Sequence, residues 1–278
     1  MNQYFQNKAN SNSRFGNALD HNPSSDIFIG IAAVRIWGTF GWHDIKQRYR
    51  RSVLGPFWFT LSTLILVLVL GILYSTLLNQ EISEYLPYLA VGLVLWQYFA
   101  SSINEGCSAF IEASQLIKEI RLPLTIHVCR IAWRNFIILL HSLPVVIITL
   151  IAFGHWPDFT FFLVPVGLLM LFLHSIWVGL FFGVLCARFR DIPPIILNLV
   201  QVAFFVTPVL WTVEILNDKE WVATYNPLYH MLEIVRAPIL GRPIHVDSWI
   251  WSFLMLVIGF SLAYFLMKRF RNRVPYWL

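Results

Sequence analysis

The chain has 278 residues, of which 58% are hydrophobic and only 13% charged, with a formal net charge of +5. Soluble domains carry about a quarter charged residues, so a soluble globular protein is excluded and an integral membrane protein is implied. The positive balance reports first on orientation in a bilayer, because Lys and Arg collect on the cytoplasmic side.

Residues 1–26 are polar and rich in Asn and Ser, without the apolar run of a signal peptide. They read as a disordered cytosolic tail. Residues 27–51 form a candidate amphipathic helix for the membrane interface. Ile27, Ile31, Val34, Ile45 and Tyr49 recur near helical spacing among Arg35, Asp44, Lys46 and Arg48. Arg48, Arg50 and Arg51 close this segment and anchor the first span; with Tyr49 they also form a candidate cytoplasmic entrance that would attract a substrate phosphate.

Apolar runs predict an all-α membrane protein with six spans, at about 56–78, 86–106, 124–153, 160–187, 193–213 and 248–268. Each approaches or exceeds the ~20 residues that a crossing needs. This topology puts all of the 20 Lys and Arg on one side except Lys219, Arg236 and Arg242, so both termini are expected in the cytoplasm. Two connections are longer than turns. The inner one holds a candidate helix at about 108–121, with an apolar stripe of Phe110, Ile111, Leu116, Ile117 and Ile120, stopped by Leu122-Pro123. The outer one, 214–242, is broken at Tyr225-Asn226-Pro227 and predicts short helices dipping back at the outer face.

Much chemistry is missing. The charge-free runs within the expected spans (the second ending at Asn104) hold no carboxylate, and of His141 and His174 the simpler reading is pairing with a neighbouring helix; both points argue against coupling to an ion gradient. There is no GxxxxGK[ST] loop, so nucleotide hydrolysis belongs to another polypeptide. His21-x-x-x-x-Asp26 has the spacing of an acyltransferase pair but lies in the polar tail. No Gly-x-Ser-x-Gly elbow, zinc-type Cys/His cluster or other metal site is present. Cys107, Cys129 and Cys186 fall toward cytoplasmic helix ends, where no disulfide is expected. Nothing points to nucleic acid.

Several short motifs occur in a particular order: Arg48-Tyr49, Leu54-Gly55 before an aromatic-rich first span, Phe189-Arg190-Asp191 before the fifth, Thr207-Pro208 within it, and Tyr225-Asn226-Pro227 after it. Over about residues 40–270 the chain resembles the permease subunits of ABC exporters of O-antigen, capsule and teichoic acid polysaccharides. That resemblance implies a homodimer paired with two separate ATPase subunits, in the bacterial inner membrane. ATP and Mg would sit in the partner, with no cofactor in this chain. A lipid-linked polysaccharide would pass outward through a channel. The inner helix would be the coupling element to the ATPase, mapping onto Phe110, Ile111, Glu112, Leu116, Ile117, Lys118, Ile120 and Arg121. The segment 214–242 would form periplasmic gate helices. Sugars stack on aromatic rings, and Phe57, Trp58, Trp96, Tyr98, Phe99, Trp211 and Tyr225 are candidate channel residues, although Trp and Tyr also gather in interfacial belts. Two alternatives stand beside this reading: a permease for drugs or small lipids, and a membrane-embedded lipid or glycan transferase.

Overall fold

The computed structural model describes residues 23–278 except Arg51, Val53, Leu54, Pro56, Arg121, Pro157 and Glu220, and except the side chains of Pro23, Ser24 and 217–219. Most of the expected tail, with Arg51, Leu54 and Arg121, therefore lies outside the described residues. Among those described there is no strand.

The long apolar runs form the frame. Among the described residues five helices are long and apolar enough to cross a membrane: α3 (Phe57–Leu77), α4 (Ile82–Glu112), α6 (Leu124–Ala152), α7 (Val164–Arg188, entered through a 3-10 turn at Phe159–Leu163) and α11 (Val246–Phe270). The expected fifth span is different. α8 (Ile192–Val206) has 15 residues, about 22 Å at ~1.5 Å per residue, against a ~30 Å hydrocarbon layer. The helix stops because Pro208 supplies no N–H and forces the residue before it out of helical geometry; Thr207 is extended, with φ −85° and ψ 137°.

α4 is the centre of the bundle, flanked chiefly by α6 and α7. It meets α7 at Gly106 and Gly179, where a Cβ on Gly106 would stand 3.0 Å from the Gly179 Cα. Only glycine permits that backbone approach. One core cluster packs Leu89, Leu171, Leu232 and Ile234 at one end of the bundle; a second packs Phe110, Ile126, Ile176, Leu180 and Met267 at the other. α3, α8 and α11 bury only narrow stripes and present Ile65, Val69, Leu73, Leu199, Val202 and Phe253 outward, as surfaces in contact with lipid do.

The expected interface helix is two helices, α1 (Pro23–Ala32) and α2 (Val34–Tyr49), broken at Ala33. Val34, expected on the apolar stripe, is 55% exposed. The buried face of α2 is instead Trp37, Gly41 and Ile45, one residue per turn, which packs on α6 with Trp37 edge-on to Trp133 at 5.7 Å.

Candidate functional site

At the end of the bundle where α2 leads into α3, four charged side chains converge with Arg48. Asp44 of α2 accepts from Arg130 Nε at 2.6 Å and NH2 at 2.5 Å, and from Arg134 NH1 at 3.2 Å. Arg134 NH2 also donates to Glu105 of α4 at 2.7 Å, and Arg48 NH2 to the same carboxylate at 3.2 Å. Both Arg48 and Arg50 are exposed, but Arg48 is committed to an ion pair with Glu105. Tyr49 stands edge-on to Phe59 at 6.1 Å. Burial raises its phenol pKa above the usual value, against the opposing pull of the Arg48 charge. Asp44, Glu105, Arg130 and Arg134 carry a signal in sequence: charges set into the ends of apolar helices need partners.

The expected coupling helix is bent. α4 runs through Glu112, Ala113 interrupts it at φ −87° and ψ 7°, and α5 (Ser114–Glu119) completes the turn before an extended Ile120. Phe110 is fully buried in the second core cluster, so it is not available to a partner. Ile111, Leu116 and Ile117 are half-buried, and Glu112, Lys118 and Ile120 are exposed; Glu112 also accepts from Ser108 Oγ at 2.7 Å. The return of the turn is clamped. The buried carboxylate of Asp26 on α1 accepts from Leu124 N and Thr125 N, both at 3.1 Å, and from Thr125 Oγ1 at 2.9 Å. It caps the start of α6 from another element, satisfying donors that a helix leaves unpaired.

At the opposite end, the backbone after α8 is irregular and buried, and side chains satisfy it. Tyr85 OH donates to Leu210 O at 2.5 Å, Tyr88 OH to Pro208 O at 3.0 Å and Trp211 O at 3.1 Å, and Arg236 NH1 to Pro208 O at 2.7 Å. Arg236 is 1% exposed, pairs with Glu233 at 2.7 Å and lies 4.2 Å over the Tyr88 ring. Asn226 Nδ2 donates to Thr207 Oγ1 at 3.1 Å, so the Thr-Pro and Asn-Pro motifs meet. The gate segment contains a 3-10 turn (Val213–Lys219), α9 (Trp221–Thr224) and α10 (Pro227–Leu240), with Asn226 as N-cap and Pro227 in the first turn. α10 runs past His230–Val235 and through Pro238, and is buried within the bundle from His230 to Ile239.

The candidate aromatics do not share one surface. Trp96, Tyr98 and Phe99 are buried on α4, with Trp96 against Phe204 at 5.5 Å and Tyr98 OH donating to Leu171 O at 3.4 Å. Phe57, Trp58 and Tyr225 are exposed, and half-buried Trp211 donates from Nε1 to Phe205 O at 3.0 Å. Of the remaining motif residues, Gly55 has φ +56°, which favours glycine. Phe189 is exposed beneath the Arg188 guanidinium, 5.1 Å away, and exposed Asp191 precedes α8. Arg190 reaches the Trp277 carbonyl at 3.5 Å and does not close the local turn with Asp191. Of the two histidines expected to pair with a neighbouring helix, His174 does so, with Ser252 Oγ of α11 at 3.1 Å while it takes Trp177 Nε1–H at 2.8 Å; His141 Nδ1 instead lies 2.8 Å from Ile137 O of its own helix.

A family model described as ABC-2 type transporter matches residues 37–240. The chain is similar to the O-antigen export system permease protein RfbA of Myxococcus xanthus, 27% identical over 197 residues, covering 70% of this chain and 76% of that protein. It is also similar to the O-antigen export system permease protein RfbA of Klebsiella pneumoniae, 25% identical over 233 residues, covering 82% of this chain and 90% of that one.

Proposed function

Because the chain belongs to the ABC-2 type transporter family, we propose that it is the transmembrane permease subunit of an ATP-driven exporter that moves an O-antigen-like, lipid-linked polysaccharide outward across the bacterial inner membrane. The observation that supports this most directly is the similarity to proteins named as O-antigen export permeases, across 82% of this chain and 90% of one relative.

In this reading two copies act with two separate ATPase subunits, which supply the nucleotide and Mg. α8 and the buried residues after it complete the fifth of six crossings, so both termini lie in the cytoplasm. The α4–α5 turn presents Glu112, Lys118 and Ile120 to the ATPase, while Asp26 holds the far side of that turn to the bundle. α9 and α10 form the outer gate. Arg50 remains exposed as a cation at the entrance.

Deletion of the chain should leave the polymer inside the cell, and the full-length chain supplied with its ATPase should restore it to the surface. Normal surface polysaccharide in the deletion strain sinks the proposal. A defect confined to efflux of drugs or small lipids supports the rival permease reading.

A further inference from the structure

A cavity of ≈ 460 Å³ opens between α3, α4 and α6, within the range of about 300–1,000 Å³ typical of small-molecule sites. Its wall includes Thr63, Gln97, Ser101 and Asn135 beside the aromatic rings of Phe59 and Trp96. Asn135 directly follows Arg134 on α6, so these groups lie just inward of the charged cluster at that end of the bundle. Asn135 is 2% exposed, and neither end of its amide has a hydrogen-bond partner among the described residues. An unpaired amide at that depth is costly unless a ligand or water meets it. Thr63 Oγ1 donates to Gln97 Oε1 at 3.0 Å, which leaves the Gln97 nitrogen as a donor. Among the described residues no charged side chain lines the cavity, which speaks against a phosphate or carboxylate. Neutral amides and hydroxyls beside two aromatic faces match the hydroxyls and apolar ring face of a sugar.

We propose that this notch is a subsite for one neutral sugar unit of the moving chain, held through Asn135 and Gln97. The proposal rests on the polysaccharide reading above and adds to it a place where the chain pauses.

The test uses the full-length chain with its ATPase in cells. Ser101→Cys is labelled with a small hydrophilic thiol reagent while polysaccharide synthesis is on or off; the native cysteines are buried. Glu84→Cys, 66% exposed at the start of α4, is the control. Labelling of Ser101→Cys should occur with synthesis off and fall severalfold with it on, while labelling of Glu84→Cys does not change. Equal labelling in both states means water only and overturns the subsite, as does no labelling in either. Asn135→Leu should slow export about ten-fold, the size of one or two lost hydrogen bonds, at unchanged chain level and ATPase association; unchanged export overturns it. If Asn135→Leu fails to accumulate, the Ser101→Cys labelling decides. If the unaltered chain exports no polysaccharide, the functional reading itself falls; unaltered export with an unprotected Ser101→Cys removes the subsite alone.

Discussion

Asp26 and Arg271 form an ion pair, Oδ2 to Nε at 3.0 Å, that ties the first described helix to the end of α11. The same carboxylate caps α6, so one side chain joins three elements beside the α4–α5 turn. Asp26→Ala should lower stability by about 2–4 kcal/mol, combining a lost cap with a cation deprived of its partner. Arg271→Ala should cost less, because the cap remains. Thermal unfolding in detergent ranks the two; equal losses would show that the cap contributes nothing.

Asp44 holds two arginines, and the Arg134 side chain is only 11% exposed. Asp44→Ala should therefore destabilise by about 1–3 kcal/mol, since Arg130 loses this partner while Arg134 keeps Glu105. Arg134→Ala should cost less in that chain than it does alone, and a double-mutant cycle gives the coupling.

Charge reversal separates the ion pair of Arg48 from the entrance proposed at Arg50. Arg48→Glu would face Glu105 at the position of the present 3.2 Å pair, so its loss of export reads the internal network. Arg50→Glu touches no such partner and is exposed. It should reduce export while stability stays within about 0.5 kcal/mol. Unchanged export from Arg50→Glu rules out an electrostatic entrance at that residue.

The turn after α4 has an exposed face, proposed above for docking, and a packing face. Ile120 is 49% exposed, whereas Phe110 is fully buried. Ile120→Asp should weaken ATPase association and export without moving the unfolding temperature. Phe110→Ala should cost about 3–5 kcal/mol of stability. Ile117→Asp should do both, because Ile117 packs against the second core cluster.

Arg236→Met leaves the carboxylate of Glu233 buried and alone, and should cost about 3–5 kcal/mol. The double variant with Glu233→Met should recover most of this, unless the bond from Arg236 to Pro208 O dominates. Unfolding of the single and double variants distinguishes the two.

The long spans were legible because crossing a bilayer imposes a length on apolar runs, and α3, α4, α6, α7 and α11 meet it. Hydropathy carried the fifth run past Val206, since Thr207, Pro208 and Val209 are uncharged; the break was written only in the proline. Charges read as a tally of sidedness place Arg48, Arg130 and Arg134 correctly at one end, yet hide that Asp44 and Glu105 bind them, because partners 29 to 90 positions apart meet only in the fold. The same limit applies to Phe110: its spacing suits an amphipathic helix, but which face meets the core depends on α7. Asn135 drew no notice as one amide in an apolar run; its unpaired state exists only in three dimensions.

The backbone after α8 is gripped from two directions. Tyr85 and Tyr88 hold it from α4, Arg236 and Asn226 from α10 and its cap. Any shift of α10 relative to α4 strains both sets of bonds together. In the exporter proposed above, a gate built on α9 and α10 yields like a latch, shut until several contacts let go at once, with the threshold for release set by the few residues around Pro208.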